Sequence, residues 1–183
     1  MEASGGAAAT ELELPGYTTV MRDLADVWLF TRARLRQTLA DLTDEQMLWR
    51  QHSDGHSIGE YLYHIAGAEH YWASRMSGRH PSGTEFEGKL DGAVLYGFLR
   101  EGEFPFGEAD MTKAKAEAAL AFTYERIKPV FEEPRPEQLT MPLISPMGDN
   151  VTGREGLIRL AQHAAYHTGQ IWVVRLDPRF PPG

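Results

Sequence analysis

Four stretches of the chain repeat apolar residues at the three- and four-residue spacing of an amphipathic helix. They cover residues 17–42, 57–76, 112–131 and 152–175. In the first stretch, Val20 and Val27 belong to the apolar series that we expect to face the core. The other three follow residues suited to N-capping, and two of these caps have a glutamate three residues later. The pattern therefore predicts four long helices that begin at defined residues.

The segments between these helices predict one long crossover and several short connections. Residues 77–110 are rich in glycine and proline and too long for a simple turn, with room for one irregular helix at 90–99. The fold class that follows is all-α, a four-helix bundle with a long crossover connection between helices 2 and 3. A short helical turn is predicted at 43–49, and an extended arm at 139–144.

The N-terminal residues and the crossover lead to further predictions. Residues 1–14 are small and acidic, so we predict a flexible N-terminal tail followed by a single domain at 15–183. A crossover of this length often covers a site, which leads us to expect a lid over an apolar pocket. Its aromatic residues would line that pocket: Phe86, Tyr96, Phe98, Phe104 and Phe106.

Charge and composition narrow the chemistry and the partners. The net charge of −8 argues against a phosphate-binding surface, so nucleic acid is not an expected partner. With no cysteine, a transition metal would be held by imidazole or carboxylate groups and not by thiolates. No apolar run reaches the roughly 20 residues of a membrane span, and the first residues lack the order of a signal peptide. We therefore expect a cytoplasmic protein with no membrane contact.

Two histidines in the last predicted helix point to a metal site. His163 and His167 are four residues apart, which places their Cβ atoms within about 5–6 Å on one helix face. On a helical wheel His64 lies at the apolar margin of the second helix and can face this pair. His52 and His56 have the same spacing, but the Ser-Asp-Gly between them predicts a loop, so we expect them not to be ligands. Three imidazoles leave a coordination position for water or substrate, as in a catalytic site.

Several neighbours of these histidines are candidate site residues, each with a structural alternative. Glu60 is one turn before His64 and could transfer protons, although its place in a capping box explains it without chemistry. Arg159 could bind an anionic substrate or a cofactor carboxylate, or it could lie at a solvated helix edge or pair with Glu155. Gln170 could bond a metal-bound water or close the helix face. His70 is predicted to be exposed or at an interface, and Glu69 to have an arginine partner from the first helix or across a dimer.

The two histidine segments resemble the DinB/YfiT-like superfamily. The matching motifs are SIGEYLYHIAGAE at 57–69 and HAAYHTGQI at 163–171. The resemblance implies a helical bundle, a homodimer, and a nickel or zinc ion held by His64, His163 and His167. Members of this superfamily include thiol-dependent S-transferases and isomerases that use mycothiol, bacillithiol or glutathione.

These observations favour a metal-dependent enzyme that activates a low-molecular-weight thiol or water against a small electrophilic substrate. Thiol transfer is the first hypothesis, and it takes the thiol from outside the chain by analogy with the superfamily. A metal-dependent hydrolase with the same ligands is the alternative enzyme. A non-catalytic metal- or ligand-binding stress-response protein and a purely structural bundle are the alternatives without catalysis.

Overall fold

The computed structural model describes residues 19–77, 83–99 and 102–183 of the chain. Within these residues the helices are α1 (Thr19–Leu39), α2 (Asp44–Leu48), α3 (Ile58–Met76), α4 (Glu85–Leu99), α5 (Lys113–Glu132) and α6 (Gly153–Arg175). Two short 3-10 turns lie at Glu108–Asp110 and Pro136–Leu139. The strands β1 (Pro142–Ile144) and β2 (Asn150–Thr152) pair in an antiparallel hairpin. The tail predicted at residues 1–14 lies outside the described residues.

Hydroxyl side chains begin the three long helices whose starts the sequence predicted. The Ser57 hydroxyl accepts a hydrogen bond from the backbone N–H of Glu60 at 3.2 Å, and the Glu60 carboxylate accepts one from the N–H of Ser57 at 2.9 Å. Thr152 begins α6 with the same reciprocal pairing, and Thr112 caps α5. Because these bonds satisfy backbone donors that a helix end leaves unpaired, the predicted starts are confirmed.

α3 is the central helix of the fold. It packs against α4, α5 and α6, and α1 packs mainly against α6, so most of the α3 surface is buried. Within α3, the buried Glu69 carboxylate receives hydrogen bonds from Arg32, Trp28 and Thr123, which offset the cost of burying its charge. The arginine partner predicted from the first helix is confirmed. The all-α class is confirmed as well, and none of the described helices is both long and apolar enough to cross a bilayer.

The core face predicted for α1 is partly wrong. Val20 and Val27 are 39% and 54% exposed, whereas Met21, Ala25 and Trp28 are buried. α1 carries apolar side chains on more than one side, and the aliphatic series alone did not identify the side on which Trp28 stacks against Phe131.

Two connections differ from the sequence prediction. The crossover helix begins at Glu85, five residues before the predicted start, because Thr84 and Glu87 form its N-terminal cap. Its glycines suggested a loop, but packing of α4 on the centre of α3 maintains the helix. The extended arm is confirmed only at β1, and its partner β2 was not predicted because its last residue is also the cap of α6.

Candidate metal centre

Three imidazoles from two helices converge between α3 and α6. The Nε2 atom of His163 lies 3.0 Å from Nε2 of His64 and 3.1 Å from Nε2 of His167. His64 is buried in α3, and the other two are half-buried on one face of α6. Within the described part of the chain, these residues form the one cluster of His, Asp or Glu whose donor atoms could hold a metal ion. The structure thus brings together the three histidines that the spacing predicted.

Hydrogen bonds on the far side of two rings fix their orientation. Nδ1 of His64 donates to the backbone carbonyl oxygen of Ala93 in α4 at 2.9 Å. Nδ1 of His167 donates to Oε1 of Gln170 at 2.6 Å. A neutral imidazole that donates from Nδ1 keeps a lone pair on Nε2, so both rings present a ligand atom to the cluster. Sequence reasoning did not find Ala93, because a backbone acceptor carries no side-chain signal.

The donor set fits a transition-metal ion. Nitrogens bound at about 2.0–2.1 Å to a tetrahedral or octahedral ion lie roughly 2.8–3.4 Å apart, and both measured separations fall in that range. Burial lowers the pKa of His64, lowers that of His163 well below its ordinary value, and lowers that of His167 to about 3. All three rings are therefore neutral at physiological pH, which is the form that ligates metals.

The histidines open onto a cavity of about 430 Å³, which is large enough for a small molecule. One wall is apolar and contains Ala68, Trp72 and Val94. Pro146 and Met147, from the turn between β1 and β2, form part of the lining. No pattern in the sequence connected this turn with the histidines.

Arg159 and Gln170 both line this cavity and have different partners. Gln170 accepts a hydrogen bond from His167, which fixes the orientation of that ring. Arg159 pairs with Asp149 of the hairpin turn, with its two terminal nitrogens 2.7 and 3.3 Å from the carboxylate oxygens.

Glu60 does not line the cavity itself, but it contacts His56, which does. The Glu60 carboxylate pairs with Arg50, caps α3, and lies 3.4 Å from Nδ1 of His56. Burial opposes ionisation of Glu60, but hydrogen bonds from His56, Arg50 and Ser57 hold its pKa at about 2. His56 is outside the three-histidine cluster, as predicted, yet it lines the cavity, a position that its loop sequence did not reveal.

The aromatic lining expected from the crossover is not found among its described side chains. Phe86 and Phe106 line a second cavity, where Phe106 stacks on Tyr63 with ring centroids 3.9 Å apart. Phe104 and Tyr96 contact each other at the edge of the core, and the Phe98 side chain lies outside the described set. The crossover instead contributes Val94 to the cavity and the Ala93 carbonyl to His64, because α4 packs on α3 as a regular helix.

The exposed or interface position predicted for His70 is wrong. His70 belongs to α3, and its side chain is fully buried. Its Nε2 atom lies 3.9 Å from a carboxylate oxygen of Asp91 in α4. Within the described residues neither ring nitrogen has a hydrogen-bond partner. Because α3 is enclosed by neighbouring helices, a position far from His64 on the wheel is not a position in solvent.

Comparison with known proteins identifies the family. Residues 28–171 match the DinB superfamily, and this range includes all three clustered histidines. A search of curated proteins found no match. The match covers well over half of the chain and agrees with its helical fold and histidine cluster, so the protein belongs to the DinB superfamily.

Proposed function

We propose that His64, His163 and His167 hold one divalent ion, nickel or zinc, and that the protein is a metal-dependent enzyme. It activates a low-molecular-weight thiol against a small electrophilic substrate, in a reaction of the S-transferase type. The observation that carries the proposal is the convergence of three neutral Nε2 donors at a small-molecule cavity. Three imidazoles leave a coordination position for a ligand, which distinguishes an open site from a closed structural one.

The described residues support distinct parts of this chemistry. Ala93 and Gln170 hold two ligand rings in orientation, so little reorganisation is needed when the site is filled. The apolar wall around Trp72 excludes water from the bound thiol. A bound divalent ion would lower the pKa of the thiol and supply it as a thiolate.

In this proposal His56 accepts the proton that the thiol loses, and Glu60 orients the His56 ring. Glu60 is ionised and faces Nδ1 of His56, which favours a proton on that nitrogen and leaves Nε2 able to accept another. In the proposed step the thiol proton passes to Nε2 of His56, and the sulfur lone pair forms a bond to the electrophilic carbon. The leaving group departs with its bonding electrons, and the proton on His56 is then released.

The test is a turnover assay on metal-loaded protein. Glutathione, bacillithiol and mycothiol are each supplied with monobromobimane, and thioether formation is compared with the uncatalysed reaction. We expect acceleration with at least one thiol, its loss on chelation of the metal, and its loss in His163→Ala. His52→Ala, in the loop away from the cavity, is the matched control and should retain activity.

Two outcomes would replace the proposal with an alternative. Metal-dependent cleavage of 4-nitrophenyl acetate with no thiol present, and no thioether formation, would indicate a hydrolase that activates water at the same ligands. Bound metal without turnover of either substrate would indicate a non-catalytic metal- or ligand-binding protein.

A further inference from the structure

The cavity next to the histidines differs in charge from the rest of the protein. The chain has a net charge of −8, yet the described residues that line the cavity include one arginine and no aspartate or glutamate. That arginine, Arg159, is one helical turn before His163, so both side chains leave the same face of α6. The carboxylate that neutralises Arg159 belongs to Asp149, which is outside the cavity lining, so a negatively charged ligand is favoured in the cavity if it takes the place of that carboxylate.

The guanidinium of Arg159 is held by a partner that a ligand could replace. Asp149 contacts it with two hydrogen bonds, and both side chains are partly exposed, at 35% and 44%. Hydrogen bonds from Arg159 and Ser145 hold the pKa of Asp149 at about 2, so the carboxylate is ionised at neutral pH. Partly exposed ion pairs of this kind contribute little net stability, so an incoming carboxylate can exchange with Asp149 at little cost.

The hairpin turn joins this ion pair to the cavity wall. Asp149 follows Gly148, whose φ of +86° creates the tight turn, and Pro146 and Met147 in the same turn line the cavity. Met147 and Trp72, which is in α3, therefore offer apolar surface in the same cavity as Arg159.

We infer that Arg159 selects ligands with an anionic group, foremost a carboxylate, which takes the place of Asp149 on the guanidinium. The ligand class is a small molecule with one end at the histidines, an apolar middle against Trp72 and Met147, and a carboxylate at Arg159. This inference rests on the proposed function for the identity of the group at the histidines, but not for the carboxylate end.

The experiment compares two thiols that differ in charge alone. Metal-loaded protein is titrated calorimetrically with 3-mercaptopropionate and with 3-mercaptopropionamide. In the wild type the carboxylate form should bind about 10-fold tighter or more, since a charge-assisted bidentate contact is lost in the amide. Arg159→Gln should remove this preference without weakening the amide, and Asp149→Asn should strengthen binding of the carboxylate because its competitor is gone.

Two further variants show whether a lost preference for the carboxylate comes from the Arg159 side chain, from the net charge of the helix, or from a folding defect. Arg154→Gln removes a positive charge from the same helix at an exposed position outside the cavity lining, and it should leave the preference unchanged. Arg159→Lys keeps the charge and should retain part of the preference, which a folding defect at this position would not allow.

The outcomes separate this inference from the proposed function. Equal affinity of the two thiols in the wild type, or an undiminished preference in Arg159→Gln, would overturn the selection by Arg159. If neither thiol binds, thiol activation fails, and the same variants titrated with butyrate and butyramide decide the role of Arg159. A charge preference of that pair that disappears in Arg159→Gln would support the inference, and its absence would overturn it.

Discussion

Gln170 is the side chain through which the fold controls one proposed metal ligand. Its Oε1 accepts the Nδ1 proton of His167, and this fixes which ring nitrogen faces the cluster. Replacement of Gln170 by alanine leaves the ring free to rotate or to change tautomer. We expect a weakening of metal affinity of about 10-fold. Competition with a chromophoric chelator measures this affinity.

Gln162 supplies the matched control for that measurement. It lies on the same helix and lines the same cavity, and none of the hydrogen bonds of the cluster involves it. Gln162→Ala should bind metal as tightly as the wild type. Equal loss of affinity in the two variants would mean that Gln170 acts through general packing of α6.

His70 makes the stability of the protein depend on pH. Burial lowers its pKa, with a smaller opposing effect from Asp91. The unfolded chain therefore binds a proton at about pH 6.5, before the folded protein does, and the free energy of unfolding falls as the pH drops from about 6.5 toward the folded pKa. His70→Leu should lose less stability between pH 7.5 and pH 5.5, as measured by urea denaturation.

The comparison at pH 7.5 adds a second expectation for this residue. Because neither nitrogen of His70 has a hydrogen-bond partner among the described residues, leucine should be neutral or stabilising by up to about 1 kcal/mol. His52→Gln removes an exposed loop histidine and is the control for the loss of one imidazole. A marked loss of stability in His70→Leu at pH 7.5 would show that the imidazole has a favourable contact.

At the scale of residues, the sequence predicted the three-histidine cluster better than the residues around it. His163 and His167 were identifiable because one helix face brings a four-residue pair together, and His64 because it occupies the margin of a capped helix. The position of His70 was not predictable from one helix alone, since it depends on how many helices surround α3. The role of His56 depends on where a loop folds back, which no periodic pattern encodes.

At the scale of elements, the packing of α4 on α3 places the Ala93 carbonyl oxygen where it accepts the hydrogen bond of His64. A Cβ added at Gly67 would overlap the carbonyl oxygen of Leu90, so the two helices approach closely only because this residue is glycine. Gly67→Ala should move α4 outward, destabilise the fold by about 1–3 kcal/mol, and weaken metal binding as the Ala93 carbonyl leaves His64. Denaturant titration and the chelator competition measure the two effects.

Gly88, in α4, provides the control for this substitution. Apart from its chain neighbours and the backbone of its own helix, no described atom lies within 4 Å of a Cβ added there, so Gly88→Ala should be neutral or stabilising by up to about 1 kcal/mol, with metal affinity unchanged. If Gly67→Ala keeps wild-type metal affinity while losing stability, the α4 contact is structural alone.

The elements themselves were predictable to different degrees. Helices α3, α5 and α6 were located from a cap followed by a long periodic run, two local signals that agree. α4 was only partly identified, since its glycines suggest a loop and its stability comes from packing on α3. Strands of three residues, such as β1 and β2, are too short for an alternating pattern to be recognised.

At the scale of the whole molecule, apolar side chains on α1 and α6 remain exposed. Val27 and Phe30 on α1 and Trp172 and Val173 on α6 are 43–58% exposed, and the two helices pack against each other. We propose that this surface forms a homodimer. Light scattering should then give twice the chain mass of 20.5 kDa. Phe30→Glu should weaken the dimer, whereas Leu95→Glu, at an exposed apolar position on α4, should not.

A monomeric mass at all protein concentrations tested would contradict that proposal. It would leave the histidine cluster unaffected, because all three ligands come from one chain.

The metal-to-chain ratio of purified protein tests the central claim most directly. After loading with nickel or zinc and dialysis, elemental analysis should give one ion per chain for the wild type, for His52→Ala and for His56→Ala. The double variant His163→Ala with His167→Ala should retain none, because one imidazole cannot hold the ion in an open site. An unchanged ratio in the double variant, or a loss of metal in His52→Ala or His56→Ala, would contradict the assignment of His64, His163 and His167 as the ligands.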